Sequence, residues 1–123
     1  MRFLLIVPFL FFACKPNWRI DPAKVKEELQ AQAAENKERK IKVETRLGDF
    51  ELELDDRTPL HTVNFIRLVK MGYFEDRYFY RNVYEIGIQG GGEYFDRLNF
   101  LVPAEYLDEL RPVRGAIAMA RYD

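Results

Sequence analysis

Few residues of this chain could do chemistry on their own, and their spacing matches no catalytic or metal-binding pattern. Cys14 and His61 are the only residues of their types, and His61 is expected at the surface in the first turn of a helix. The acidic pairs Asp55-Asp56 and Asp108-Glu109 stand in turn-like stretches, where solvated charge is the usual role. Gly90-Gly91-Gly92 is followed by neither a lysine-serine pair nor a helix start, so it is not a phosphate loop. We therefore predict no metal and no cofactor.

The residues before Cys14 have the pattern of an export signal. Met1-Arg2 is a short positive start, residues 3–13 are apolar, and Ala13 is a small residue at the expected cleavage point. The apolar run is too short for a permanent membrane-spanning helix. The alternative is a buried strand or helix, which Pro8 and the abrupt change to Lys15-Pro16-Asn17 disfavour. We predict a signal peptide over residues 1–13.

Cys14 itself resembles the acylated cysteine of bacterial lipoproteins. It directly follows Ala13, although Phe11 and Phe12 occupy positions where that family usually carries leucine and a small residue. The resemblance implies lipid attachment at Cys14 and a membrane-anchored protein of the cell envelope, facing the periplasm or the exterior. Because a single cysteine cannot form an intramolecular disulfide, the alternative is an unmodified thiol beside the membrane.

The composition of the whole chain fits one globular domain. Of its 123 residues, 48% are hydrophobic and 15% aromatic, which is enough to form a core. The 19 basic and 20 acidic side chains nearly cancel, so the chain has no electrostatic footprint for nucleic acid. We expect no nucleic-acid partner.

Residues 14–40 are expected to form a polar helical linker between the anchor and the domain. Asp21 and Pro22 fit a helix start, and residues 23–37 are rich in strong helix formers. Only a thin apolar stripe, which includes Val25 and Leu29, follows this helix. A solvent-exposed spacer of about 16 residues would span roughly 24 Å. The alternative, which the thin stripe leaves open, is a helix docked along the domain.

From Ile41 onward the pattern becomes that of a small α+β or barrel-like domain. Apolar and polar residues alternate on both sides of Leu47-Gly48-Asp49, which predicts a hairpin with one solvated face. A helix follows, with Thr58 as its cap, Pro59 in its first turn and Gly72 at its end. Strands are predicted over residues 41–46, 50–55, 80–83, 86–89 and 116–120.

Several of these segments resemble the cyclophilin-type peptidyl-prolyl isomerases. The resemblance covers residues 41–123, and it rests on the order of its blocks, the eight-residue step from Arg81 to Gln89 and the closing Met119-Ala120. The matching blocks are residues 43–54, 58–68, 72–74, 79–81, 88–91, 102–106 and 114–120.

The resemblance implies a mainly β (α+β) fold, because that family forms an eight-stranded antiparallel barrel capped by two helices. This chain would supply the first half of the barrel with one capping helix, and would be an incomplete domain. The family's tryptophan and histidine of the substrate site have no counterpart, since Trp18 and His61, the only residues of their types, lie far from the positions where that family carries them. An open half-barrel would leave an unpaired edge and an uncovered apolar face.

The resemblance also implies a site for X-Pro segments of unfolded or exported proteins. Rotation about an X-Pro bond faces a barrier of ~18–20 kcal/mol, which a fixed donor aimed at the prolyl nitrogen of the twisted amide lowers. Arg81 stands at the family's catalytic arginine, and Gln89 at the glutamine that binds the substrate backbone. Further substrate-binding positions fall on Tyr80, Ile86, Met119 and Ala120. Without the family, Arg81 would be interpreted as a surface arginine on a strand.

Departures from the family pattern keep three functions open. Ile86 and Gly87 replace a phenylalanine and a methionine of the proline pocket, and Arg121 replaces an asparagine. Tyr80 and Gly92 replace a common histidine and a common aspartate. The hypotheses are an isomerase that assists the folding of exported proteins, a non-catalytic proline-binding or chaperone-like module, and an inactive fragment.

Overall fold

The computed structural model describes residues 17–92 and 98–120, which form two helices and two β-hairpins. The elements in chain order are α1 (Val25–Glu35), β1 (Lys40–Val43), β2 (Phe50–Glu53), α2 (Pro59–Lys70), β3 (Phe79–Val83) and β4 (Gly87–Gly90). β1 pairs with β2 and β3 with β4, both antiparallel, in two separate sheets. The mixed α and β content predicted from the sequence is confirmed, and the barrel is not closed. The predicted signal peptide and Cys14 lie outside the described residues.

Helix α1 begins after a turn that Asp21 organises. Asp21 Oδ1 accepts a hydrogen bond from the Ala23 amide at 3.0 Å, and the Asp21 carbonyl accepts one from the Lys24 amide at 2.8 Å. The helix ends at Glu35, and the residue that follows it, Asn36, has an extended backbone. Within residues 17–92 and 98–120, no helix is long and apolar enough to cross a bilayer.

The thin apolar stripe of α1 is buried against α2, so the solvent-exposed spacer is a wrong prediction and the docked alternative holds. Val25 and Leu29 are 3% and 0% exposed. They belong to one core cluster, whose other buried members are Ile20, Leu60, Val63 and Phe100. Ala33 of the same stripe also packs against this cluster, and the thin stripe is sufficient because it meets apolar residues from three other segments of the chain.

Helix α2 follows its sequence signals at both ends, but its cap differs from the prediction. Pro59 occupies the first turn, as predicted, while Thr58 makes no side-chain cap to the helix. At the other end Gly72 has φ +73°, and the Tyr73 amide donates to the Leu68 carbonyl at 2.9 Å. This is a Schellman motif, in which glycine takes the left-handed position at little cost.

The first hairpin has the predicted alternation over shorter strands. Ile41, Val43 and Leu52 are half-buried, whereas the lysine and glutamate residues between them are exposed. In the turn, the Thr45 hydroxyl donates to the Gly48 carbonyl at 2.6 Å. The local signals of period two and a Gly-Asp turn were therefore enough to place this element.

The predicted strand over residues 116–120 is wrong. This segment forms no strand in the described structure, and its residues are exposed. A strand forms only where a neighbour satisfies its backbone groups, and here no such neighbour is paired with it.

Candidate functional site

Arg81 and Gln89 face each other across the second hairpin. The register of β3 and β4 makes them direct partners, and Arg81 Nη1 lies 3.4 Å from Gln89 Oε1. This is a long hydrogen bond that links two side chains on paired strands. Cross-strand neighbours of this kind hold each other's orientation better than residues on loops do.

A β-bulge precedes Arg81. Phe79 pairs with Gly90 and Arg81 with Gln89, so Tyr80 is the extra residue in β3. A bulge bends the strand and changes the direction in which the following side chain points. Tyr80, predicted to bind substrate, thus lies immediately beside the Arg81–Gln89 pair and is 48% exposed.

The glycines after Gln89 allow aromatic rings to approach the strand closely. A Cβ on Gly90 would lie 2.7 Å from Cδ1 of Phe79, which is closer than a side chain tolerates. Gly91 has φ +100°, and a Cβ there would lie 3.1 Å from Cε1 of Phe74. The glycine triplet therefore ends β4 and supports the position of Gln89, as expected for a structural role.

Ile86 lies in the turn of the hairpin, where it is 85% exposed. The turn closes through the Ile86 amide and the Val83 carbonyl at 3.1 Å, and Glu85 takes a left-handed φ of +60°. Met119, at 55% exposure, and Ala120 belong to the unpaired segment. The structure pairs Arg81 with Gln89 and places Tyr80 next to Arg81 in β3, but it builds no enclosed apolar wall from Ile86, Met119 and Ala120.

Arg81 is available to a ligand. Its side chain takes part in none of the ion pairs formed by the described residues, and its exposed position keeps it hydrated. Two shallow surface grooves lie beside α2, and neither includes Arg81 or Gln89. No group of three potential metal ligands occurs within residues 17–92 and 98–120.

Glu105 caps α2 from a distant part of the chain, which the sequence did not reveal. Its carboxylate accepts hydrogen bonds from the Leu60 and His61 amides, each at 3.0 Å, and lies 2.7 Å from His61 Nδ1. The His61 side chain is 25% exposed, so it lies at the surface only in part and has a specific partner that the sequence did not predict. One signal could have indicated this: the first turn of α2 carries no acidic residue of its own.

Trp18 is the second residue whose role the sequence did not reveal. Its ring makes an edge contact with Tyr73 at a centroid distance of 5.2 Å, and its carbonyl accepts a hydrogen bond from Arg67 Nη2 at 2.6 Å. The desolvation of Arg67 on burial lowers the pKa of its guanidinium. An aromatic residue just before a helix start is the only local signal for such packing.

Comparisons with known proteins identify the same part of the chain. A family model described as cyclophilin type peptidyl-prolyl cis-trans isomerase/CLD matches residues 40–123. A protein of Streptococcus pyogenes serotype M6, named as a bifunctional phosphatase/peptidyl-prolyl cis-trans isomerase, is 35% identical over 95 residues. That alignment covers 66% of this chain and 19% of the relative.

A fungal relative matches a shorter stretch. The peptidyl-prolyl cis-trans isomerase-like 2 protein of Aspergillus fumigatus is 45% identical over 51 residues, which are 41% of this chain and 9% of the relative. The chain thus spans less than a fifth of the length of these two relatives. No solved structure matches. Because the family model covers about two-thirds of its length, the chain belongs to the cyclophilin-type peptidyl-prolyl cis-trans isomerase family.

Proposed function

We propose that this chain is a peptidyl-prolyl cis-trans isomerase that uses Arg81 on the second hairpin. The observation that carries the proposal is the cross-strand contact between Arg81 Nη1 and Gln89 Oε1, in a chain of the cyclophilin family. The substrates would be X-Pro segments of unfolded or exported proteins.

Catalysis of this rotation requires only a fixed hydrogen-bond donor and contacts that bind the peptide. When an X-Pro amide twists, its nitrogen becomes pyramidal and gains a lone pair that accepts a hydrogen bond. A guanidinium has five N–H donors, so Arg81 can give one to Gln89 and still direct others at the substrate. Stabilising only the twisted form raises turnover without tightening ground-state binding.

Gln89 would bind the peptide backbone and orient Arg81 at the same time. Its Oε1 faces Arg81, which leaves the amide N–H donors for a substrate carbonyl. On the face of the hairpin that carries Arg81 and Gln89, the next cross-strand pair is Val83 and Gly87, so Val83 alone of that pair offers an apolar side chain to the proline ring. An open surface buries less of a ligand than a pocket does, so we expect weak peptide binding.

Replacement of Arg81 tests this proposal. Arg81→Ala should slow isomerisation of an Ala-Pro tetrapeptide about 10- to 1,000-fold, which corresponds to about 1.4–4 kcal/mol of transition-state stabilisation. Arg81→Lys should restore little of the lost rate, because one ammonium group cannot reproduce the planar array of guanidinium N–H donors. A protease-coupled assay gives the rates, and circular dichroism checks the fold. Arg46→Ala, which removes an exposed arginine between β1 and β2, is the matched control. Equal activity in wild type and Arg81→Ala would remove Arg81 from the mechanism.

A non-catalytic proline-binding or chaperone-like module is the second candidate. It is favoured by the exposure of Ile86 and Met119, which leaves the proline without an enclosed wall. In that case the peptide would perturb the hairpin while the rate of cis–trans exchange stayed at the uncatalysed value. The two functions therefore separate in one experiment that measures both binding and exchange.

For location, we propose export and lipid attachment at Cys14, supported by the sequence pattern of residues 1–14. The docked N-terminal segment adds a geometric consequence. Because Trp18 packs against the domain, at most ~14 Å of chain separates Cys14 from it, against roughly 24 Å for an exposed helix. The domain would then lie close to the membrane surface.

Labelled palmitate tests the anchor. The chain should incorporate the label when expressed in a bacterium, and Cys14→Ser should abolish incorporation. Labelling that persists in Cys14→Ser would reject Cys14 as the lipid site.

A further inference from the structure

Trp18 lies well before residues 40–123, the part that matches the family, yet it is built into the support of the second hairpin. Its ring meets the Tyr73 ring edge-on, at 5.2 Å between centroids and an angle of 86°. Edge contacts of this type favour one orientation of both rings. The N-terminal segment therefore contacts the residues that follow α2, and not only α1's partners in the core.

From Tyr73 the contacts continue to the end of β4. The Tyr73 and Phe74 rings are 5.1 Å apart and nearly perpendicular. A Cβ on Gly91 would lie 3.1 Å from the Phe74 ring, and one on Gly92 would lie 3.4 Å from the Tyr73 hydroxyl. The row Trp18–Tyr73–Phe74, called here the aromatic row, thus lies against the two glycines that directly follow β4.

The backbone at and just after Trp18 is held at two points, by side chains of α2 and of the segment after residue 98. The Trp18 carbonyl accepts the 2.6 Å hydrogen bond from Arg67 Nη2, and the Arg67 guanidinium lies 5.8 Å from the centre of the Phe100 ring. Two residues on, the Ile20 carbonyl accepts a hydrogen bond from Asn99 Nδ2 at 2.8 Å, and Ile20 is 4% exposed. Displacing Trp18 would therefore require breaking buried contacts, which gives the aromatic row a fixed end.

We propose that Trp18 is a positioning residue for Gln89. Through Tyr73 and Phe74 it fixes Gly91 and Gly92, and with them the end of β4 that holds Gln89 opposite Arg81. The inference rests on the proposed isomerase function, because it assigns Trp18 a part in that same site. Since Gln89 is the residue that would bind the peptide backbone, loss of Trp18 acts on peptide affinity more than on the chemical step.

Amide hydrogen exchange in the absence of peptide tests whether Trp18 fixes the end of β4. In Trp18→Ala, exchange at Gln89, Gly91 and Gly92 should become at least about 10-fold faster, because the row loses its fixed end. Trp18→Phe should stay close to wild type, since it keeps an aromatic edge. Val25→Ala is the matched control, because it weakens the core without touching the aromatic row. Exchange at these three residues that is the same in Trp18→Ala and wild type would overturn the proposal.

Enzyme kinetics and the NMR signal of the Trp18 indole N–H test whether Trp18 affects peptide binding. For an Ala-Pro tetrapeptide, Trp18→Ala should raise KM about 3- to 10-fold and change kcat less than about two-fold, and Trp18→Phe should restore KM. Trp18 is the only tryptophan, so its indole N–H gives one NMR signal, which should shift when the peptide saturates the wild-type chain.

The outcomes separate this inference from the proposed function. If the hairpin amides respond to the peptide while the indole signal and KM do not, the role of Trp18 is rejected and the isomerase proposal stands. If neither the hairpin nor the indole responds, the proposed function fails and the role of Trp18 fails with it.

Discussion

The helical part of the molecule and the second hairpin differ in the interactions that stabilise them. Leu29 of α1 is 0% exposed in a core shared with α2 and Phe100, whereas Ile86 at the tip of the second hairpin is 85% exposed. The helices are held by buried apolar area, and the hairpin by its backbone ladder and by close contacts at glycines. The residues that stabilise the fold and the candidate site therefore lie in different regions, a common arrangement in which a scaffold positions a functional surface.

The largest expected effect is a loss of stability when a core residue of the helical part is truncated. Leu29→Ala should lower the free energy of unfolding by about 2–5 kcal/mol, because it removes a fully buried side chain and leaves a cavity. Ile86→Ala should change it by less than about 0.5 kcal/mol, since that side chain is exposed. Urea denaturation followed by circular dichroism measures both. Similar losses in the two variants would show that the hairpin is as much a part of the core as α1.

A smaller effect is expected where the segment after residue 98 joins α2. Glu105→Ala should cost about 1–2 kcal/mol, because it removes the acceptor for two helix amides and the partner of His61. Glu105→Gln should cost less, as it keeps one acceptor oxygen, and Glu109→Ala at an exposed position serves as control. The same denaturation experiment applies. A Glu105→Ala variant as stable as Glu109→Ala would contradict the capping role.

The smallest effect is expected on stability at low pH, and it arises in the loop that precedes α2. Hydrogen bonds from the Arg57 side chain and backbone lower the pKa of Asp55 to about 2. A lowered folded-state pKa contributes stability that is present above about pH 4, the unfolded value, and is lost as the pH falls through about 2. Arg57→Ala should therefore show a shallower loss of thermal stability between about pH 4 and 2. The difference should be small, because both side chains are partly exposed. Superimposable pH profiles would show that the pair adds nothing.

Elements with strong local signals were predictable from the sequence. The alternation around Gly48 placed the first hairpin. Pro59 is the first residue of α2, as predicted, and Gly72 stands two positions after its last residue, Lys70. The residue pattern placed β3 and β4 to within one residue at each end, and the structure pairs Arg81 with Gln89 across them. The functional role of both residues stays a proposal.

Features that depend on distant partners were not predictable. The docking of α1 depends on Phe100 and α2, and the thin apolar stripe of the helix does not by itself identify these partners. The cap of α2 comes from Glu105, and the packing of Trp18 needs Tyr73. The strand expected over residues 116–120 failed for the opposite reason, because its local pattern was suitable and its partner is not paired in the described structure. The substrate-binding roles expected of Ile86, Met119 and Ala120 stay predictions, and in the described structure Ile86 and Met119 are 85% and 55% exposed.

The most direct test of the central claim is the rate of cis–trans exchange of an Ala-Pro tetrapeptide, measured by equilibrium exchange NMR and expressed per folded molecule. Wild type should accelerate exchange, and Leu29→Ala should retain that acceleration in its folded fraction, because the mutation lies in the helical part. Arg81→Ala should lose about 10- to 1,000-fold of it while its stability stays within about 0.5 kcal/mol of wild type. Equal acceleration by wild type and Arg81→Ala, or a loss in Leu29→Ala as large as that in Arg81→Ala, would contradict the assignment of the activity to the second hairpin.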